Sequence, residues 1–134
     1  MDPGTRGLLD TSVFIAVESE RAIDQLLLPD ESVVCPVTIA ELQVGVLAAA
    51  DLEIRARRLA TLESIADVEV VAIDADVAAQ WSRLRVQLAQ TGRRMNANDL
   101  WIAATAAANG LPIVTQDDDF GALDGVAGVE IIRV

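Results

Sequence analysis

Five short apolar runs alternate with longer stretches of helical periodicity: GLLD at 7–10, SVVC at 32–35, EVVAI at 69–73, LPIVT at 111–115 and VEIIRV at 129–134. Runs of this length and near-continuous apolar character fit strands buried on both faces. Strand–helix alternation requires crossover connections, which are right-handed, and so a parallel sheet covered by helices on either side. The expected fold is a three-layer α/β/α sandwich around a mostly parallel sheet. With 134 residues, 52% of them hydrophobic, there is material for one real core and not for two. Repeats, low-complexity tracts and linkers are all lacking, so residues 1–134 are expected to form a single domain.

The stretches between the strands carry their own punctuation. Helices are expected after Asp10, over Arg21–Leu28 up to Pro29, from Thr38 through TIAELQVGVLAAA, over Asp51–Ala66, and from Asp74 to Thr91-Gly92. The most helix-like run is NANDLWIAATAAAN at 96–109, capped by Asn96 or Asn98 and ended by Gly110 and Pro112. Thr38 and Glu41 have the spacing of a capping box, S/T-x-x-E ahead of an apolar run. Trp81 reads as core, Trp101 as helix packing in preference to base stacking, and Cys35 as a small buried residue.

Absences narrow the chemistry. There is no histidine, no tyrosine and no lysine, all ten basic residues being arginine. Serine–histidine and cysteine–histidine triads, histidine zinc sites, a phosphate-loop lysine and Schiff-base chemistry are thereby excluded. The lone Cys35 excludes an internal disulfide and multi-cysteine metal clusters. An enzyme with this composition must work through carboxylates, with a hard cation that takes oxygen ligands. The net charge of −11 opposes non-specific binding to a phosphate backbone, although Arg93 and Arg94 form a local positive pair just ahead of Asp99. No run of 18 apolar residues is present, and MDPGTRG is neither basic nor apolar enough for a signal peptide, so no membrane association and a cytoplasmic location are expected.

Four acids sit at comparable junctions. Asp10 and Asp117 follow strands, while Glu41 and Asp99 are read as opening helices, and in a parallel sheet both kinds of position lie on one edge. Each acid alone has an ordinary explanation as a cap or a solvated charge. Four coinciding on one rim are explained together by a shared divalent cation, Mg²⁺ or Mn²⁺. In the run Asp117-Asp118-Asp119, the order of preference as a ligand is Asp117, then Asp119, then Asp118. Ser12 and Thr115 bring hydroxyls to the same rim, available to a substrate, a carboxylate or a turn, and Arg93 and Arg94 are candidates for a substrate phosphate.

LLDTSVFI, TIAELQVG, NDLWIAATA and VTQDDDF, in this order and over this length, resemble the PIN-domain ribonucleases, and in particular the VapC-type toxins of bacterial toxin–antitoxin pairs. The resemblance implies an acidic quartet at Asp10, Glu41, Asp99 and Asp117, with Asp119 as an additional ligand. It also implies a small VapB-type antitoxin as cognate partner, an RNA substrate, and a homodimer or a larger toxin–antitoxin assembly. Without histidine to run transesterification, water is the expected nucleophile, giving 5′-phosphate and 3′-hydroxyl ends. Two rivals are a non-catalytic acidic-pocket regulatory module that binds Mg²⁺ and a metal-dependent phosphohydrolase. The first lacks the lysine that accompanies a phosphoryl-accepting aspartate. The second needs an acid two residues after the leading aspartate, where Ser12 stands.

Overall fold

In the computed structural model, which describes residues 5–134, the chain enters the middle of its sheet and leaves it in both directions. The opening residues 1–4, on which the expectation about a leader partly rests, lie outside the described residues. Strand β1 (Arg6–Leu9) is followed by α1 (Thr11–Glu18), β2 (Glu31–Val34), α2 (Pro36–Leu47), α3 (Leu52–Ser64) and β3 (Glu69–Val70). Then come α4 (Ala75–Gln90), α5 (Ala97–Ala108), β4 (Ile113–Thr115) and β5 (Ile131–Arg133). The strand order is β3-β2-β1-β4-β5, and every ladder is parallel. The order reverses between β1 and β4, so the crevice beyond their carboxyl ends is the place where such sheets bind ligands.

Alternation along the strands separates two apolar layers. Leu8, Val33 and Ile113 pack with Val77, Leu84 and Leu88 of α4 and with Leu100, Ile102 and Ala103 of α5. Leu9 and Val114, one residue on in each strand, join Val13 of α1 together with Phe14, Ile23 and Leu28. Full burial of each large aliphatic side chain contributes about 2 kcal/mol. Trp81 and Trp101 stack at 5.1 Å between α4 and α5, which gives both rings a packing role. Gly7 is required where β1 passes its neighbours: a Cβ there would stand 2.8 Å from Val114 Cγ2 and 3.1 Å from Pro29 Cγ.

Several boundaries differ from expectation. Arg21–Leu28 is not a helix; one 3₁₀ turn forms at Gln25–Leu27, because the Asp24 side chain accepts from the Leu26 N–H and holds the chain in a local turn. Helix α2 starts at Pro36, not Thr38, since proline's fixed φ and missing N–H suit a first helical position. The proposed capping box is therefore absent: Thr38 is fully buried inside α2, and Glu41 lies more than a turn into the helix. β3 and β5 are shorter than their apolar runs, each pairing on one side only. The glycine-rich stretch after β4 contributes a 3₁₀ turn, Asp119–Leu123, that buries Phe120 and Leu123 completely.

Candidate active site

At the β1/β4 crevice a cavity of about 270 Å³ is lined by Asp10, Glu41, Asp99, Asp117 and Asp119, together with Thr11, Ser12, Ile15, Arg21 and Asn96. Parallel strands explain the convergence, because β1 and β4 end side by side and α1, α2 and α5 bring their residues toward the same rim. The acidic run after β4 divides by position. Asp117 and Asp119 line the cavity, while Asp118 pairs with Arg133 of β5 at 2.6 Å.

Asp10 is the most enclosed acid, at 2% exposure. It caps α1, accepting weakly from the Ser12 N–H at 3.4 Å, and takes a 3.0 Å bond from the Thr115 hydroxyl on the same oxygen, Oδ2. The Thr115 oxygen in turn accepts the Asp117 N–H at 3.0 Å, so one hydroxyl fixes the first acid and the start of the acidic run. Ser12 Oγ lies 3.2 Å from Thr115 Oγ1 and accepts the Gln116 N–H at 3.0 Å. Both hydroxyls are therefore engaged in positioning the rim. Glu41 is held differently, by a 2.7 Å bond from the Thr11 hydroxyl. Thr11 itself lies 3.4 Å from the buried Thr38.

The charges are mutually unfavourable. Burial pushes the Asp99 carboxyl up to about 7, and the neighbouring charges of Asp10, Asp119, Glu41 and Asp117 add to it. Asp117 is raised as well, first by burial and then by Asp10 and Asp119, with Arg21 pulling the other way. Among the described residues no three carboxylates close into a tight metal-ligand cluster, although Asp117 and Asp119 approach to hydrogen-bonding distance of each other. The donor set nevertheless fits a hard divalent cation: five carboxylates on one small cavity, no soft ligand, and a proton held on Asp99 near neutrality that a cation can displace.

Arg93 and Arg94 are not part of this cavity. They line a second one, behind the first turn of α5, and Arg93 donates to the Ala122 carbonyl at 3.3 Å. Asn96, between the arginines and Asp99, caps α5 by accepting from the Asn98 N–H at 2.8 Å. Sequence reasoning leaves Thr11 open between a cap and a group that orients a carboxylate, reads Thr38 as a cap, and misses Arg21. Thr11 directly follows Asp10 and was visible as a hydroxyl at a helix start. Nothing local marks Arg21, which reaches the rim through the turn after α1.

Comparison with known proteins agrees with this fold. The PIN domain family model matches residues 7–126. Ribonuclease VapC5 of Mycobacterium tuberculosis (strain ATCC 25618 / H37Rv) is 63% identical over 128 residues, covering 96% of this chain and 95% of the relative. Ribonuclease VapC4 of the same strain is 41% identical over 126 residues, covering 94% and 97%. The crystal structure of VapBC-5 from Mycobacterium tuberculosis, a member of the VapBC family of toxin–antitoxin systems, contains a chain that superposes with a TM-score of 0.92 at 60% identity, covering 97% of this chain and 99% of that one. With its fold, its acidic crevice and these relatives in agreement, the chain belongs to the PIN-domain family, in its VapC branch.

Proposed function

We propose that the protein is a metal-dependent endoribonuclease, the toxin of a VapBC-type pair, and that its cognate partner is a small VapB-type antitoxin. The observation that carries the reading is the convergence of five carboxylates from four separate parts of the chain on one crevice, with Asp99 pushed to about 7 by burial and by its neighbours. The 63% identity to a named VapC ribonuclease and the match to a chain of a VapBC structure support the activity class and the partner. Among the described residues no helix is long and apolar enough to cross a membrane, which accords with a cytoplasmic site of action.

Asp10 and Asp99 are the principal ligands for Mg²⁺ or Mn²⁺, with Glu41, Asp117 and Asp119 completing the set directly or through water. The cation, when bound, supplies Lewis-acid polarisation of a phosphoryl oxygen and a water of lowered pKa. The chain's own groups set the geometry. Thr115 and the Ser12 N–H fix one oxygen of Asp10 and so orient the carboxylate. Thr11 holds the Glu41 carboxylate from α1. Asp99 gives up a proton near neutrality, and the carboxylate so formed would be available to hold the cation. Arg21 is the one basic residue among the described residues that line the cavity and is available to meet substrate phosphate. Ser12 lines the crevice and is open to substrate, whereas Thr115, expected as a second substrate contact, is fully buried outside the lining and acts through Asp10 and Asp117.

The test is incubation of the purified chain with RNA and, separately, with a generic phosphomonoester, in Mg²⁺, in Mn²⁺ and in EDTA. RNA is expected to be cut only with the metals present, leaving 5′-phosphate and 3′-hydroxyl ends, while the monoester survives. Cleavage that persists in EDTA, or 2′,3′-cyclic phosphate ends, overturns the mechanism.

A further inference from the structure

A larger cavity, about 620 Å³, lies at the bend between α4 and α5, and its chemistry is opposite to that of the acidic crevice. Arg85, Arg93 and Arg94 surround it, and Trp81, Met95 and Leu100 give it an apolar wall. In a chain of net charge −11, three arginines around one cavity require an explanation. Acidic side chains do not supply one: among the described residues the ion pairs involve Arg6 and Arg133 only. The indole N–H of Trp81, which has no acceptor among the described residues, is closed to solvent and so is not presented to the cavity; what the half-buried Trp81 offers there is ring surface. Guanidinium charges without acidic partners beside an apolar wall suit an anionic ligand that also carries an apolar face.

Position decides what that ligand is. The cavity meets the first turn of α5 through Ala97 and Leu100, whereas Asn96 and Asp99 of the same turn face the acidic crevice. The two cavities thus flank one helix, whose width of about 10 Å corresponds to roughly three nucleotides at the rise of a stacked strand. We propose that the α4–α5 cavity is a subsite for single-stranded RNA flanking the cleaved bond. Arg85 and Arg94 bind phosphates there, and a base lies against the Trp81 and Met95 wall. The inference rests on reading the acidic crevice as the cleavage site. It adds a path: RNA runs across the N-terminal turn of α5, between a metal-dependent site that repels bare phosphate and an arginine site that attracts it.

The probe is a fluorescein-labelled 12-nucleotide single-stranded RNA, with binding followed by anisotropy between 50 and 200 mM salt in an Asp99→Asn background so that turnover does not intrude. Arg85→Gln with Arg94→Gln is expected to weaken binding about tenfold and to flatten the log–log salt dependence by about 1.4, from ~0.7 per phosphate contact. RNA is also expected to quench the tryptophan emission of the parent protein. In the chain with Asp99 intact, the same double substitution is expected to raise KM more than it lowers kcat. Unchanged affinity and salt slope in a folded double variant overturns the subsite. So does quenching by an acidic peptide that RNA does not reproduce, which would make this a protein-docking cavity. Failure of the nuclease reading shows separately, as RNA left intact by the unsubstituted chain in both metals.

Discussion

Asp10 is nearly inaccessible and yet is proposed as a metal ligand, and its neighbours reconcile the two. A buried carboxylate is tolerated where donors compensate it, and here Thr115 supplies the shorter bond to Oδ2 while the Ser12 N–H supplies the longer one. Thr115 is therefore a positioning residue and not only a strand terminus. Replacing it by valine keeps the volume and β-branching but deletes the bond to Asp10 and the acceptor for the Asp117 N–H. Thr115→Val is expected to lower RNA cleavage by about 10–100-fold, the usual effect of removing a group that orients a metal ligand. The midpoint for Mn²⁺ activation should move to higher concentration, and Thr115→Ser should restore much of the activity. A valine variant with the metal midpoint of the parent protein would leave the hydroxyl a purely structural part.

At the scale of elements, the parallel sheet was legible because alternating apolar runs and crossovers allow few topologies, and the acids at Asp10 and Asp117 could be placed from the strand ends alone. The misplacement of Glu41 shows what sequence leaves out. Thr38 and Glu41 satisfy a capping pattern, but Pro36 starts the helix two residues earlier, and the Thr38 hydroxyl is spent in the buried contact with Thr11. Arg21–Leu28 failed for a related reason: its amphipathic spacing is real, but Asp24 offers its backbone a local turn in competition with a helix. Contacts between elements, such as the Thr11–Glu41 bond that ties α1 to α2, have no signature within either element. Thr11→Val breaks that tie and frees Glu41 to swing away from the rim. The expected result is a roughly tenfold loss of cleavage, with melting temperature lowered by only a few degrees because a single hydrogen bond contributes about 1 kcal/mol. A loss of stability large enough to account for the activity would reverse that reading.

For the whole molecule, an acidic chain that gathers its carboxylates into one crevice gives up stability for function, and pH exposes the trade. Asp99 has a folded-state pKa of about 7 against an ordinary value of 3.8, so between these limits the folded protein keeps a proton that the unfolded chain releases. Stability is therefore greatest at the acidic end of that window, falls as pH rises through it, and levels off above about 7. Asp117 is raised in the same sense and adds to the slope. A divalent cation bound as proposed would replace the lost protons and stabilise by mass action, most where the carboxylates are ionised. Millimolar Mn²⁺ is accordingly expected to raise the melting temperature more at pH 8 than at pH 5.5. Asp99→Asn removes the repulsion without adding a charge: it should melt a few degrees above the parent protein at pH 8 in EDTA, on the order of 1 kcal/mol after allowance for its partial exposure, while losing RNA cleavage. A parent protein equally stabilised by Mn²⁺ at both pH values, or an asparagine variant that melts lower than the parent in EDTA, would mean that these carboxylates do not share one electrostatic site.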